Sequence, residues 1–363
     1  MCPEGATVRQ LLGPSAGGIR GHVAVLAETL EQHGWTAPVA GPPGVMAEVG
    51  SLAEQVRIPP GTSPLGVWRA RRDLAALAPV DLVHAHGLKA GWIASSLRSR
   101  PPLVVTIHNL VLDEAAGRGA GVLRRLEERL PRRADRLIAV SQQIAERFAG
   151  LPGADRIVVI PPASRPPEPR RSPAEVKAAL GVDADRPLIV VVARLHAQKD
   201  HETFLRALSI VGAKHPEAVA AIIGEGPLED ELKTRARELG VAERTIFAGP
   251  SPYAVDELNA ADVVALSSRW EGSPLVVAEA LQLAKPVVST AVGAIPEVVT
   301  DGVTGRLCPV DDPDCMARCI IEVLDDPQGA RSLGRAGREK ARSRFGTERL
   351  VREVEAVYCE VLG

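Results

Sequence analysis

Short apolar segments alternate with longer amphipathic segments along most of the chain. The short segments are rich in Val, Ile and Leu, as strands buried on both faces are, and the longer ones carry apolar residues at helical spacing. This alternation builds parallel sheets, because the chain crosses over through a helix between successive strands. The sequence therefore predicts an α/β fold of doubly wound, Rossmann-like parallel sheets. The predicted strands are residues 8–12, 36–40, 82–84, 103–107, 136–140, 188–193, 218–223, 245–248, 263–267 and 286–289.

A proline-rich segment, residues 161–171, interrupts the alternation with the sequence PPASRPPEPRR. Proline at this density suits neither a helix interior nor a strand, so the segment predicts a semi-rigid linker. A chain of 363 residues is also long for a single core. We therefore expect two domains, residues 1–162 and 173–342, joined by a hinge at 163–172. The strand-end loops of both are expected to face a central cleft, and residues 343–363 to return to the first domain as a helix.

Composition excludes several classes of protein. The net charge is −2 and aromatic residues make up 3%, which disfavours nucleic-acid binding. No apolar segment approaches the roughly 20 residues that span a bilayer, and the N-terminus lacks the pattern of a signal peptide. The sequence thus favours a cytoplasmic protein.

The cysteines are five in number and contain no Cys-x-x-Cys pair. Cys315 and Cys319 would share one face of a helix, but no His partners or fourth ligand lie near them in the sequence, so a zinc site is disfavoured. Buried thiols in a reducing compartment are the better interpretation.

Glu271 and Glu279 stand eight residues apart where an apolar strand runs into a helix. Ser273 is a good N-cap and Pro274 suits the first helical position, so the backbone N–H groups near Leu275 and Val276 are expected to face an anion such as a diphosphate. One carboxylate would then bond to a sugar and the other to ribose hydroxyls. Two glutamates at this spacing also fit a solvated loop residue and a surface helix residue.

Two other strand-end loops in the second half have matching chemistry. Arg194 and Lys199 follow one strand and provide two cations that would clamp a diphosphate, although a solvated charged loop is more common. Gly224 and Gly226 follow the next strand in a tight turn that lets backbone approach a ligand. Such turns are also frequent in ordinary αβ connections.

Gly17 and Gly18 follow the first strand in a loop able to approach phosphate oxygens. No Gly-x-Gly-x-x-Gly opens the helix after it, and no Gly-Lys-Ser/Thr occurs there. Nicotinamide and ATP chemistry are therefore disfavoured.

Histidines mark two further strand ends in the first half, His84 and His86 on one and His108 on the other. A lone histidine is usually a structural hydrogen-bonding residue, but three at strand ends of one domain favour a functional role. His108 is the best candidate to touch a reacting sugar and His86 the next. Metal binding by His84 and His86 would need a third ligand, and their side chains are expected to alternate faces.

Taken together, these motifs resemble a GT-B glycosyltransferase of the retaining family 4 type over nearly the whole chain. The Glu-x7-Glu in its strand-turn-helix setting is a fairly specific motif. The motifs that carry the resemblance are Gly17-Gly18, His84–His86, residues 106–108, 134–136 and 140–141, Arg194 with Lys199, residues 224–227, Glu271 with Glu279, and residues 293–297 and 301–305.

The resemblance implies a role for each matching residue. Glu271 would hold donor-sugar hydroxyls and Glu279 the nucleotide ribose. Arg194, Lys199 and the N–H groups of Leu275 and Val276 would stabilise the diphosphate, with Gly272, Ser273 and Pro274 shaping that loop. His108 would sit at the sugar and the acceptor. Enzymes of this type need no metal and no other cofactor, so no metal ligand is predicted.

The chain departs from the family pattern in two places. Pro161-Pro162-Ala163 stands where the family commonly has Pro-Asn-Gly, which predicts an altered hinge. The Gly-Gly loop lacks a nearby acidic residue, and Arg20 is expected to face a phosphate instead.

The predicted reaction moves a hexose or N-acetylhexosamine from a nucleotide diphosphate sugar to a lipid-linked or glycan acceptor in cell-surface glycan synthesis. A UDP-sugar is favoured over GDP-mannose, because the segment from His84 to Gly91 resembles relatives that use uridine donors. Residues 119–135 form a basic amphipathic stretch that would contact the inner face of the membrane, or else pack as a core helix with a solvated arginine face.

Two alternatives stay open on the same scaffold. A nucleotide-sugar 2-epimerase would need additional carboxylates, which only Asp113 and Glu114 near His108 offer. A non-catalytic nucleotide-sugar-binding protein would be indicated by an inert residue at Glu271 or His108, and neither occurs.

Overall fold

A computed structural model describes residues 5–14, 18–43, 53–59, 61, 63–108, 120–164, 166–272 and 275–363. The chain divides into two compact units. The first unit comprises Met1–Arg165 with Phe345–Gly363, and the second comprises Pro166–Arg344. Among the described residues, no helix combines the length and apolar content needed to cross a bilayer.

The first unit is built on a seven-stranded parallel sheet in the order β3-β2-β1-β4-β5-β6-β7. Every residue of its three central strands is buried, which explains their nearly continuous apolar sequences. The strands are β1 Val8–Leu12, β2 Val39–Gly41, β3 Ala53–Gln55, β4 Leu82–His86, β5 Leu103–Ile107, β6 Arg136–Ala139 and β7 Ile157–Val159.

Helices flank this sheet, and the one latest in the sequence completes its core. The helices are α1 Gly18–Gln32, α2 Pro64–Ala75, α3 Leu88–Ser95, α4 Ala120–Arg129, α5 Gln142–Glu146 and α14 Thr347–Leu362. α14 buries Leu350, Val351, Val354, Val357 and Tyr358 in the same cluster as Val8 and Leu26. The apolar spacing along α14 is therefore the stripe that faces the sheet.

The second unit has a six-stranded parallel sheet in the order β10-β9-β8-β11-β12-β13. Its strands are β8 Leu188–Val192, β9 Val219–Ile223, β10 Thr245–Gly249, β11 Val263–Leu266, β12 Val287–Thr290 and β13 Arg306–Cys308. Its helices are α6 Pro173–Ala179, α7 His201–Lys214, α8 Glu229–Glu238, α9 Val255–Ala260, α10 Leu275–Gln282, α11 Ile295–Val298, α12 Pro313–Asp325 and α13 Pro327–Phe345.

Strand order reverses once in each sheet, between β1 and β4 in the first unit and between β8 and β11 in the second. The predicted class, an α/β fold with two doubly wound parallel sheets, is confirmed. In such sheets ligands bind at the carboxyl ends of the strands beside the reversal. The loops after β1, β4, β8 and β11 are therefore the places where a ligand is expected to bind.

Candidate functional site

A largely buried ion pair joins the loops that follow β8 and β11. The Lys199 ammonium contacts Oε1 of Glu271, and the Ser268 hydroxyl donates to the same oxygen at 2.6 Å. Glu271 is 8% exposed, so its carboxylate is largely removed from water. Two strand ends beside the reversal thus present a cation and an anion at one place.

Local hydrogen bonds hold the Lys199 loop against β11. Ala197–Lys199 form one 3-10 turn, and the Asp200 side chain caps α7 through the Thr203 N–H. The Ser267 hydroxyl donates to the Lys199 carbonyl at 2.9 Å, and Gln198 Nε2 donates to the Trp270 carbonyl at 3.0 Å. These bonds fix the backbone on both sides of the ion pair.

Gly293 lies directly against the backbone of Glu271. Its φ is +58°, and a Cβ there would stand 2.0 Å from the Glu271 carbonyl oxygen. The Ala294 N–H also donates to the Gly272 carbonyl at 3.3 Å. Only glycine allows both this conformation and this approach, so the loop after β12 sets where Glu271 sits.

Gly224 and Gly226 serve a comparable contact after β9. A Cβ at Gly224 would meet the Ala193 carbonyl oxygen at 2.0 Å, and one at Gly226 would meet the Leu195 carbonyl oxygen at 2.3 Å. The Leu195 N–H donates to the Glu225 carbonyl at 2.9 Å. In the described structure these glycines bring two protein backbones together, which explains the turn without a ligand.

Glu279 lies on α10, the helix that follows Glu271. The first residues of this helix, Leu275 and Val276, are half-buried, whereas the predicted cap Ser273 and Pro274 lie outside the described residues. Burial raises the pKa of the Glu279 carboxyl to about 7. No hydrogen bond or ion pair joins this carboxyl to another described residue, which suits a group that bonds to a ligand.

Arg194 is exposed at the end of β8, where its guanidinium donates to Gln198 Oε1 at 3.4 Å. Lys199, by contrast, is engaged by Glu271. The two cations predicted to clamp a diphosphate therefore have different surroundings: Arg194 is exposed to solvent, whereas Lys199 is paired with Glu271.

A connected set of polar side chains lies inside the first unit. Tyr358 on α14 contacts His84 Nδ1 through its hydroxyl at 2.6 Å, and His84 Nε2 contacts the Thr106 hydroxyl at 2.7 Å. Gln10 Nε2 donates to the Tyr358 hydroxyl at 3.2 Å, while Gln10 Oε1 lies 2.9 Å from His86 Nε2.

His108 extends this set at the end of β5. Its Nε2 lies 3.2 Å from His86 Nδ1. Burial holds the pKa of His86 and His108 well below the usual range for histidine, and lowers that of His84 to about 3. The rings are therefore neutral at physiological pH.

The expectation that His84 and His86 alternate faces is wrong. Their ring centroids are 4.2 Å apart, because residues two apart on a strand point to the same face.

His22 joins these histidines, although the sequence offered no motif around it. It lies on α1 with its ring centroid 5.3 Å from that of His108 and 6.1 Å from that of His86. Burial lowers its pKa to about 4. The signal for it was positional: His22 lies beside Val23 and Leu26 on the buried face of the first helix.

The remaining predicted residues are only partly described. Gly17 lies outside the described residues, while Gly18 is the first residue of α1 and Arg20 is half-buried in its first turn. Asp113 and Glu114, which the epimerase alternative needs, also lie outside the described residues.

Part of the basic segment 119–135 packs into the protein. Leu130 and Glu127 are buried, Val122 is 59% exposed, and the Trp92 indole N–H donates to the Leu126 carbonyl at 2.9 Å. The structure thus supports both interpretations of this segment, a helix packed in the core and a basic face that is exposed.

Two family models match the chain. The model described as "Glycosyl transferases group 1" matches residues 174–340, and that described as "Glycosyltransferase Family 4" matches residues 16–163.

Curated relatives match across both units. A D-inositol 3-phosphate glycosyltransferase of Mycolicibacterium gilvum is 34% identical over 72% of this chain, and the match spans 62% of the relative's own length. One from Xylanimonas cellulosilytica is 32% identical over 77% of this chain and 72% of that protein. A glycogen synthase of Mycobacterium tuberculosis is 31% identical over 77% and 68%, respectively.

Solved structures share the fold at low sequence identity. HepE of Anabaena in complex with UDP and glucose superposes with a TM-score of 0.85 at 22% identity, covering 98% of this chain and 100% of that one. Sucrose-phosphate synthase of Thermosynechococcus elongatus gives a TM-score of 0.84 at 23% identity, covering 98% of each chain. Both confirm a GT-B architecture.

Proposed function

The chain belongs to the glycosyl transferases group 1 family, and we propose that it moves a hexose or N-acetylhexosamine from a nucleotide diphosphate sugar to a lipid-linked or glycan acceptor. The observation that carries the proposal is the buried pair of Lys199 and Glu271 at the two strand ends beside the reversal of the second sheet. The relatives named above, two D-inositol 3-phosphate glycosyltransferases and a glycogen synthase, support it.

A UDP-sugar is the favoured donor and GDP-mannose the next. HepE was crystallised with UDP and glucose on the same fold, which supports a uridine nucleotide. Glu279 would accept hydrogen bonds from the ribose hydroxyls. Its raised pKa means that the buried position disfavours the charge, and two hydroxyl donors would offset that cost.

The diphosphate would lie between the two glutamates. The N–H groups at the start of α10, near Leu275 and Val276, together with Arg194, would face it. Lys199 would divide its three donors between Glu271 and a phosphate oxygen. Glu271, held by Ser268 and Lys199, would accept bonds from donor-sugar hydroxyls.

Transfer would proceed with retention through a front-face substitution. As the anomeric C–O bond breaks, negative charge grows on the leaving diphosphate, and preorganised donors stabilise that charge. The acceptor oxygen bonds to the anomeric carbon on the same face, and its proton passes to a leaving phosphate oxygen. His108 would position the donor sugar and the acceptor, with His86 behind it. Since these donors neutralise the leaving group, no metal is required.

The acceptor is proposed to be a lipid-linked intermediate or a glycan of the cell surface. Arginines on α4 beside the exposed Val122 would then hold the protein at an anionic membrane surface on the cytoplasmic side.

Donor binding can be tested first by thermal shift with UDP-, GDP- and ADP-sugars. We expect stabilisation by UDP-sugars, and no shift with any nucleotide sugar would contradict the donor site. Transfer is then assayed by UDP release with lipid-linked, glucan and inositol phosphate acceptors, in the presence of EDTA, and product NMR reports anomeric configuration.

Substitution tests the role of Glu271 in transfer. Glu271→Ala is expected to lower transfer about a hundredfold or more, while Glu231→Ala, on the exposed face of α8, leaves it unchanged. Full activity of Glu271→Ala would refute the assigned role. Interconversion of a UDP-sugar with its 2-epimer in the absence of an acceptor would support the isomerase alternative. Nucleotide binding without transfer or epimerisation would support the binding-protein alternative.

A further inference from the structure

Three imidazoles of the first unit come together in one buried group. His22 on α1, His86 on β4 and His108 after β5 are all buried, and one ligand nitrogen of each lies within 4.8 Å of the others. We propose that this trio, the His22 cluster, binds a divalent transition-metal ion of the Zn²⁺ class.

Two of the three nitrogens already have the spacing of a metal site. Tetrahedral Zn²⁺ with bonds of about 2.05 Å places its ligand nitrogens about 3.3 Å apart. His86 Nδ1 and His108 Nε2 are 3.2 Å apart. Only the His22 ring has to approach further, by about 1.5 Å at most, since tetrahedral coordination needs about 3.3 Å and the limit is 4.8 Å.

His22 Nδ1 provides an independent observation. This buried nitrogen has no hydrogen-bond partner among the described residues, whereas the same ring hydrogen-bonds to the backbone of Ala163. Buried polar atoms are nearly always paired, so an unpaired one beside two other imidazoles indicates a ligand. A backbone contact on the opposite side of the ring is the usual support of a metal-binding histidine.

Gln10 supplies the same support for His86. Gln10 Nε2 donates to the Tyr358 hydroxyl, which leaves Gln10 Oε1 to accept from His86 Nε2 at 2.9 Å. His86 thus keeps its proton on Nε2 and directs the Nδ1 lone pair at the cluster. His108 donates from Nε2 without metal. On metal binding that proton moves to His108 Nδ1, so all three rings stay neutral and each offers one lone pair.

The donor set selects the ion. Three imidazoles, with no carboxylate in the group among the residues that the structure describes, favour Zn²⁺, Co²⁺, Ni²⁺ or Cu²⁺ over Mg²⁺ and Ca²⁺, which take oxygen ligands. The consequence for activity rests on the proposed function: an ion that holds His108 withdraws it from the sugar and acceptor. Zn²⁺ is therefore expected to inhibit transfer, and a chelator to restore it.

Metal binding is measured on the full chain independently of activity. The metal-free protein is titrated with Zn²⁺ against a chromophoric chelator, and with Co²⁺ by visible absorption. We expect one tight site with tetrahedral Co²⁺ bands. His22→Gln should weaken binding at least ~10-fold. His33→Gln, the same change at an exposed histidine of the first unit, should leave it unchanged.

His22→Cys makes the test independent of any loss of folding in His22→Gln. A thiolate ligand should retain the ion and add a sulfur-to-cobalt charge-transfer band in the near ultraviolet, which a merely structural histidine would not predict. Equal Zn²⁺ affinity in wild type and His22→Gln, or the absence of that band from folded His22→Cys, would overturn the site. Zn²⁺ binding without inhibition would keep the site and contradict the role of His108 in transfer.

Discussion

Replacing Glu279 by Gln tests the electrostatics of the proposed ribose site. Burial raises the pKa of this carboxyl to about 7, against 4.5 for an unperturbed glutamate. The folded protein therefore holds the proton more tightly than the unfolded chain. Stability from this group is complete below about pH 4.5 and is lost as pH rises toward 7. Gln keeps the shape of the side chain and cannot ionise.

The size of the effect follows from the shift. Each pKa unit corresponds to about 1.4 kcal/mol, so ionising Glu279 in the folded protein costs about 3.5 kcal/mol. This is an upper value, because the side chain is only partly buried. Between pH 5 and pH 8 the free energy of unfolding of the second unit should fall by up to about 2.5 kcal/mol relative to the Glu279→Gln variant, because part of the effect lies below pH 5.

Urea titrations followed by Trp270 fluorescence measure this difference. Trp270 is the one tryptophan in the second unit, so Phe replaces Trp35, Trp68 and Trp92 in wild type and variant alike. Glu231→Gln, at an exposed position, is the control and should follow wild type. If the free energy of unfolding has the same pH dependence in wild type and in Glu279→Gln, the raised pKa of the Glu279 carboxyl is refuted.

The same variant tests the ligand role. Ribose hydroxyls that donate to the carboxylate favour its ionised form, so UDP binding near pH 6.5 should release protons from wild type. Calorimetry in buffers of different ionisation enthalpy would detect the release. Proton release of the same size from the Glu279→Gln variant would show that another group titrates.

Three further substitutions test the packing around the two sites. Glu271→Gln leaves Lys199 buried without its anion and should lower the free energy of unfolding of the second unit by about 3 kcal/mol in urea titrations. Adding Lys199→Met to the same chain should restore stability but not transfer. A double variant that loses as much stability as the two single variants together would contradict a direct pair. Gly293→Ala forces a Cβ against the Glu271 carbonyl and should lower transfer at least tenfold with the circular dichroism spectrum retained; unchanged kcat would contradict this. Tyr358→Phe removes the partner of His84 and should cost the first unit about 1–3 kcal/mol in thermal or urea unfolding, and a cost below 0.5 kcal/mol would show that water replaces the hydroxyl.

Central strands and one edge strand, β10, could be predicted from the sequence, whereas the other three edge strands could not. β1 and β5 have the predicted bounds, because strands buried on both faces need unbroken apolar segments. The strands β3, β7 and β13 are three residues each and lie at sheet edges, where half-exposed residues leave no such signal. Their pairing with a neighbour determines them, and that is a tertiary property.

The candidate sites, too, could be predicted from the sequence only in part. Strand-end residues such as Glu271 and Lys199 could be selected because a parallel sheet brings its carboxyl ends to one edge. Their direct pairing could not, since it depends on how two loops 72 residues apart fold against each other. His22 escaped notice because a histidine on an amphipathic helix has no local signature, and its meaning comes only from the two strands beneath it.

The place of α14 in the first unit has a consequence for biosynthesis. The second unit is contiguous, so it can close as soon as Arg344 has left the ribosome. The first unit is begun earlier but needs Tyr358 and its neighbours, which are made about 200 residues after β7. At ~5–20 residues per second, the nascent first unit waits roughly 10–40 s with an open apolar face, a period in which chaperone binding should be strongest.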